Sequence, residues 1–134
     1  MLATNKILAI LVALIVVSCA NPILDANEQF IQGSWFYWRQ IEQVGFTYWI
    51  RWTFEQGRFK QEGRLLHIEG RYRIVKSDDD QLTLELSEVS DEIGQRIELS
   101  EPQINIVIDR NTGILTIKQE GSFTREQIVP TAAP

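Results

Sequence analysis

At 134 residues the chain has room for one domain, and a composition of 44% hydrophobic and 23% charged residues is that of a folded protein, not a disordered one. The net charge of −5 gives no electrostatic support for nucleic-acid binding. One Cys excludes an intrachain disulfide framework, and one His excludes a His-rich metal site.

In chain order, residues 1–6 carry a single positive side chain, Lys6, and residues 7–17 form an unbroken apolar run. That run is well short of the roughly 20 residues a membrane-spanning helix needs, but it has the length of a signal-peptide core. Asp, Glu and Arg are absent from it, and no helix cap flanks it, which argues against a buried helix. The small residues Ser18, Cys19 and Ala20 follow. Residues 19–32 read as a tether.

From residue 33 the pattern is that of strands. Residues 34–41 (SWFYWRQI) form the first. In residues 46–54 (FTYWIRWTF), Phe46, Tyr48, Ile50, Trp52 and Phe54 share one parity, and Thr47, Trp49, Arg51 and Thr53 the other. Such period-two alternation is a half-buried strand. Gln56-Gly57 ends it, and residues 58–61 follow with Phe59 as anchor. In residues 65–76, Leu66, Ile68, Tyr72 and Ile74 form the apolar face, on which Gly70 predicts a bend or bulge. After the Ser77–Asp80 turn, Leu82, Leu84 and Leu86 alternate with polar residues. Residues 88–102 read as acidic and irregular. Ile104, Ile106 and Ile108 begin a hairpin that turns at residues 110–113 and returns over residues 114–119. Residues around Phe123 add a last short strand, and residues 129–134 read as a frayed tail. The expected fold is all-β, a small antiparallel up-and-down barrel of about eight short strands over residues 33–128.

Two family resemblances add to this. Val16-Val17-Ser18-Cys19 resembles the lipobox of bacterial lipoproteins, with an aliphatic residue three places before the Cys and a small one beside it. The resemblance implies that residues 1–18 are a lipoprotein signal peptide. It implies that the Cys19 sulfur takes a diacylglycerol and that the Cys19 amine can be acylated, with palmitate for example. The protein is then held at a membrane in the cell envelope, facing away from the cytoplasm. Ala20 after the Cys implies the outer membrane in a cell that has two. An ordinary secretory signal with an incidental Cys is the alternative.

Gly33-Ser34-Trp35 at the start of the first strand is similar to the Gly-X-Trp entry motif of lipocalins and small bacterial lipocalin-like domains. Gly70-Arg71-Tyr72-Arg73-Ile74 resembles a middle strand of the same domains. The second lipocalin motif, Thr-Asp-Tyr, is absent. The likeness implies that Trp35 plugs one barrel end and that Arg125 packs across its ring, with Gly33 allowing the close approach. A barrel of this size is filled by its own side chains or holds one small ligand.

Eleven of thirteen aromatics lie between Phe30 and Phe59. They read either as core filling or as a ligand pocket, for which Trp35, Arg39, Tyr48, Trp52 and Tyr72 are the candidate lining. Arg39 shares a parity with Trp35 and could meet a ligand carboxylate or an acid at the rim. Phe36, Trp38 and Trp49 fall on the outer parity, where exposed aromatics suggest a partner surface or contact with lipid headgroups. Arg51, Arg71 and Arg73 form either a basic outer patch or cross-strand ion pairs. Asp78-Asp79-Asp80 lacks the spacing of a calcium loop. No phosphate loop, nucleophile elbow or zinc motif occurs, so neither enzyme chemistry nor a cofactor nor a metal is expected. Two functions stay open: a binding module for a small hydrophobic ligand, and an accessory lipoprotein whose solid barrel contacts a protein partner or the envelope surface.

Overall fold

A computed structural model describes residues 25–41 and 45–125. The signal segment 1–18, Cys19 and the tail 129–134 lie outside the described residues.

Eight antiparallel strands follow one another in a single sheet, each paired with the next in sequence. They are β1 (Gly33–Ile41), β2 (Phe46–Glu55), β3 (Arg58–Gly63), β4 (His67–Ser77), β5 (Gln81–Asp91), β6 (Gln103–Asp109), β7 (Ile114–Ile117) and β8 (Gly121–Phe123). A two-way backbone bridge between Phe36 and Thr124 joins the last strand to the first and nearly closes the barrel. This is the up-and-down barrel that the alternation predicts, lipocalin-like in form as the Gly-X-Trp resemblance implies, and short turns join most of its successive strands.

The inward parity is largely as the pattern requires. Ile50, Trp52, Phe54, Phe59, Tyr72, Leu82, Leu84, Leu86, Ile106, Ile108, Leu115, Ile117 and Phe123 are buried in one cluster, with Tyr48, Ile68, Ile74 and Ile104 packed against it. Leu66 is the exception. It is exposed, because β4 begins only at His67 and Leu66 lies in the turn before it.

Several boundaries differ from the sequence pattern: β3 runs on to Gly63, past the expected end at residue 61, and β4 spans His67–Ser77, not residues 65–76. Residues 26–31, expected in the tether, form a short helix, α1 (Ala26–Ile31), that belongs to the folded unit. Asp25 caps it by accepting from the backbone N–H groups of Asn27 and Glu28. A six-residue helix is less than two turns, too short for its period to show in the sequence. The irregular stretch expected from residue 88 starts later, because β5 runs on to Asp91. The return strand β7 ends at Ile117, two residues early, and residues 118–120 form a turn.

The β5 discrepancy has a definite cause. Glu69 pairs with Ser90 but Arg71 pairs with Ser87, so β5 carries one extra residue opposite Gly70. Glu88 takes up the excess with a positive φ of 51°. The bulge reverses the parity, so the odd-numbered Val89 is buried after the even-numbered Leu82, Leu84 and Leu86. Gly70 is required there. A Cβ at that position would lie 2.7 Å from the Ser87 carbonyl oxygen and 3.0 Å from the Phe59 ring.

Candidate functional site

The barrel has one end crossed by α1, the base, and an opposite end, the top. The base holds the turns around residues 56–57, 78–80 and 110–113, with α1 laid across it; the top holds the opposite turns.

At the base, Trp35 is fully buried. Its indole N–H donates to the Ile31 carbonyl at 2.8 Å, and its ring lies 5.6 Å from that of Phe30. The Arg125 guanidinium sits 4.0 Å from the indole centroid. It also donates to the carbonyls of Phe30 and Gln32, the last acceptors of α1. Those helix-end carbonyls have no partner within the helix, and a cation is favoured beside them. Partial burial of the guanidinium lowers its pKa from the ordinary arginine value. Gly33 has φ +100°, and a Cβ there would come within 2.8 Å of Arg125. Gly33, Trp35 and Arg125 therefore meet at one barrel end.

A polar network fastens the rest of α1. Asn27 is buried and donates to the Ser77 hydroxyl and to the carbonyls of Asp78 and Gln81, while its own carbonyl oxygen accepts from Arg110. Tyr72 points to the same end. Its hydroxyl accepts from Gln32 at 3.0 Å and donates to Glu28 at 3.2 Å, and burial raises its pKa.

The five residues considered as a ligand lining do not surround a common space. Trp35 and Tyr72 belong to the base. Trp52 is buried in mid-barrel, stacked on Phe54 at 5.6 Å and tilted against Phe59 at 5.8 Å. Tyr48 and Arg39 lie at the top, where the exposed Arg39 guanidinium is 5.9 Å from the Tyr48 ring centroid.

The interior also holds a carboxylate. Glu120, in the turn before β8, reaches across to β2 and β3 and accepts from the Trp52 indole at 3.0 Å and from the Gln61 amide at 2.7 Å. The sequence carries one sign of this. Gln61 shares the inward parity of Phe59, and a buried amide on an apolar face needs a partner. Nothing local indicates that the partner is Glu120, 59 positions away.

Desolvation raises the Glu120 pKa against the opposing effect of its two donors. A raised carboxyl pKa makes its stability contribution complete below the unfolded value and loses it as pH rises through the folded value. Glu120→Gln can keep both bonds if the Gln61 amide turns over. This variant is expected to lose the fall in stability that the parent shows from about pH 4.5 towards neutrality. Urea unfolding of both proteins across about pH 4.5 to 8 checks this, and parallel curves would count against it.

On the outer wall, each basic side chain considered for a patch meets an acid. Arg51 lies 2.8 Å from Glu62, Arg71 3.1 Å from Glu88 and Arg73 2.9 Å from Glu85. A groove over β2–β5 alternates the same charges. The Arg71 and Arg73 pairs are solvated, each contributing about 0–1 kcal/mol, whereas the Arg51–Glu62 pair is partly buried and leaves the Arg51 Nε without a hydrogen-bond partner among the described residues. Trp38 and Trp49 are directly opposed across β1 and β2, and both are exposed. Among the described residues, no group of three His, Cys, Asp or Glu is placed to hold a metal ion, and no helix is long and apolar enough to cross a membrane. No protein-family model matches the chain, and no curated protein or solved structure matches it either.

Proposed function

We propose that this chain is a non-enzymatic accessory lipoprotein, anchored through Cys19 in the cell envelope, whose barrel acts through its outer surface. The observation that carries the second half is the filled interior. Trp35, Trp52, Phe54, Phe59 and Phe123 occupy the barrel together with the aliphatic residues of β5 to β7, in one continuous cluster. A small eight-stranded barrel has little more interior than such side chains need. The anchor half rests on Val16-Val17-Ser18-Cys19 after an apolar run of signal-peptide length. Two acyl chains give a stable hold, since each buried CH₂ contributes about 0.8 kcal/mol.

Each half has its own test. Cys19→Ala is expected to abolish incorporation of labelled palmitate and to leave the precursor uncleaved; a labelled, processed variant would refute the anchor. Titration with an apolar fluorescent dye is expected to show no saturable quenching of the buried tryptophans. One-to-one saturable quenching that Trp52→Phe alters would restore the alternative of a small hydrophobic ligand inside the barrel.

A further inference from the structure

The seam between β1 and β8 is joined only at its lower part. Phe36 exchanges both backbone hydrogen bonds with Thr124, at 2.7 and 2.9 Å. Backbone groups alternate sides along a strand, so those of Trp38 and Gln40 point the same way as those of Phe36. Above the bridge β1 and β8 form no ladder, and among the described residues the Trp38 backbone has no hydrogen-bond partner on that side. The Tyr37 ring stands in the gap, so close to Gly121 that a Cβ there would meet it at 2.9 Å. β3 begins to pair with β2 only at Ile50. The ends of β1 and β2 beyond these pairs, residues 38–41 and 46–49, thus form a two-stranded arm at the top, with Tyr48 still packed on the core, and a two-stranded ribbon alone is marginal in water.

Two side chains flank the open edge. On the outer face Trp38 lies exposed beside Trp49. On the inner face Arg39 is exposed over Tyr48, with no carboxylate partner among the described residues. We propose that this edge of β1 is a strand-addition site for an extended segment of a partner protein in which apolar and acidic residues alternate. The backbone of Trp38 and Gln40 supplies the hydrogen bonds, and the alternating faces supply the selectivity. An apolar side chain packs beside Trp38, and an acidic one meets Arg39.

A bilayer and a second copy fit this edge less well, an argument that rests on the acylated Cys19 proposed above. Asp25 is fixed at the base, where it accepts from Ser77 of the β4–β5 side. The arm stands at the other end of the barrel. Six residue steps from Cys19 to Asp25 reach at most about 20 Å. A nine-residue strand tilted by about 40° already rises some 23 Å along a barrel axis. The arm therefore points away from the membrane that holds the lipid. Antiparallel pairing of two β1 edges would send the two bases in opposite directions, against a common anchor. It would also bring the two Arg39 side chains close together, and like charges there oppose pairing.

The probe is a fluorescent heptapeptide, Gly-Val-Glu-Val-Glu-Val-Gly, titrated by anisotropy against the full chain in detergent micelles, with Lys replacing Glu in the control peptide. The acidic peptide is expected to bind at least about tenfold more tightly than the basic one. Gln40→Pro removes an outward N–H while leaving the β1–β2 ladder intact, and is expected to weaken binding about tenfold, whereas Gln40→Ala does not. Arg39→Glu, which leaves the backbone untouched, should reverse the preference between the peptides, so the charge arm stands even where the Pro variant fails to fold. Absence of saturable binding up to about 1 mM overturns the proposal. So does equal binding of the two peptides. A dimer in sedimentation that Gln40→Pro dissolves assigns the edge to a second copy and overturns it as well. Flotation of the Cys19→Ala chain with phosphatidylglycerol vesicles, lost in Trp38→Ala, assigns the patch to lipid and also overturns it. Peptide binding without Cys19 acylation supports the site and refutes only the anchor; acylation without peptide binding refutes only the site.

Discussion

Trp35→Ala is expected to lower the unfolding free energy by about 3–5 kcal/mol, the range for truncating a large buried aromatic. The indole is fully buried between Ile31, Phe30 and the Arg125 guanidinium, so its removal leaves a void that only α1 could collapse into. It also strands the Ile31 carbonyl, which loses its 2.8 Å donor. For a domain of about 100 residues, with a stability of some 5–15 kcal/mol, this is a large fraction of the total. Arg125→Ala should cost less, about 1–2 kcal/mol, because it removes a cation–π contact and two bonds to helix-end carbonyls from the rim of the same site. Denaturant unfolding of a soluble form lacking residues 1–19 measures both. A loss below about 1 kcal/mol for Trp35→Ala would mean that the indole does not close the barrel.

Asn27→Ala is expected to cost about 2–4 kcal/mol, although it deletes only a small polar side chain. Asn27 joins α1 to two turns at once. It donates to Ser77, Asp78 and Gln81 on the β4–β5 side and accepts from Arg110 after β6. Its loss leaves the part-buried Asp78 carbonyl without a donor, while that of Gln81 keeps the Asp78 N–H, and an unsatisfied group costs more than a made bond contributes. Asn27→Asp separates this network from simple packing. It keeps the volume and the acceptor for Arg110, but it turns the donor into a second carboxylate oxygen facing the carbonyls of Asp78 and Gln81. The same unfolding measurement should show Asn27→Asp destabilised about as much as Asn27→Ala. A near-neutral Asp variant would show that the amide donor contributes little.

Interactions close in sequence were legible and those across the barrel were not. Alternation from Phe46 to Phe54 and from Leu82 to Leu86 is a local property, because side chains of a strand alternate whatever it pairs with. Turn residues at Gln56-Gly57 and at 110–113 are local too, and short turns between alternating runs leave an up-and-down order as the simple outcome. Gly70 announced its bend for the same reason: a glycine on an apolar face marks a place where a backbone comes close. The resemblance to lipocalins paired Trp35 with Arg125 beforehand, in keeping with the need of a barrel's first and last strands to meet.

The sequence alone thus determined most of the strands, their order and the faces that most of them bury, and its lipocalin-like entry motif implied that Trp35 closes one end. Only the tertiary structure decided the rest. The extra residue in β5 shifts the parity at Val89, but that excess exists only relative to the register of β4. Residues 26–31 become a helix because the barrel base offers Ile31 and Asn27 a place to bury, whereas the segment alone is too short to hold a helix. Glu120 finds Trp52 and Gln61 only once the barrel wall has curved around to bring them together. Whether the aromatics enclose a pocket or fill it, and where the seam stays open, depends on the closed circumference, which no single strand encodes.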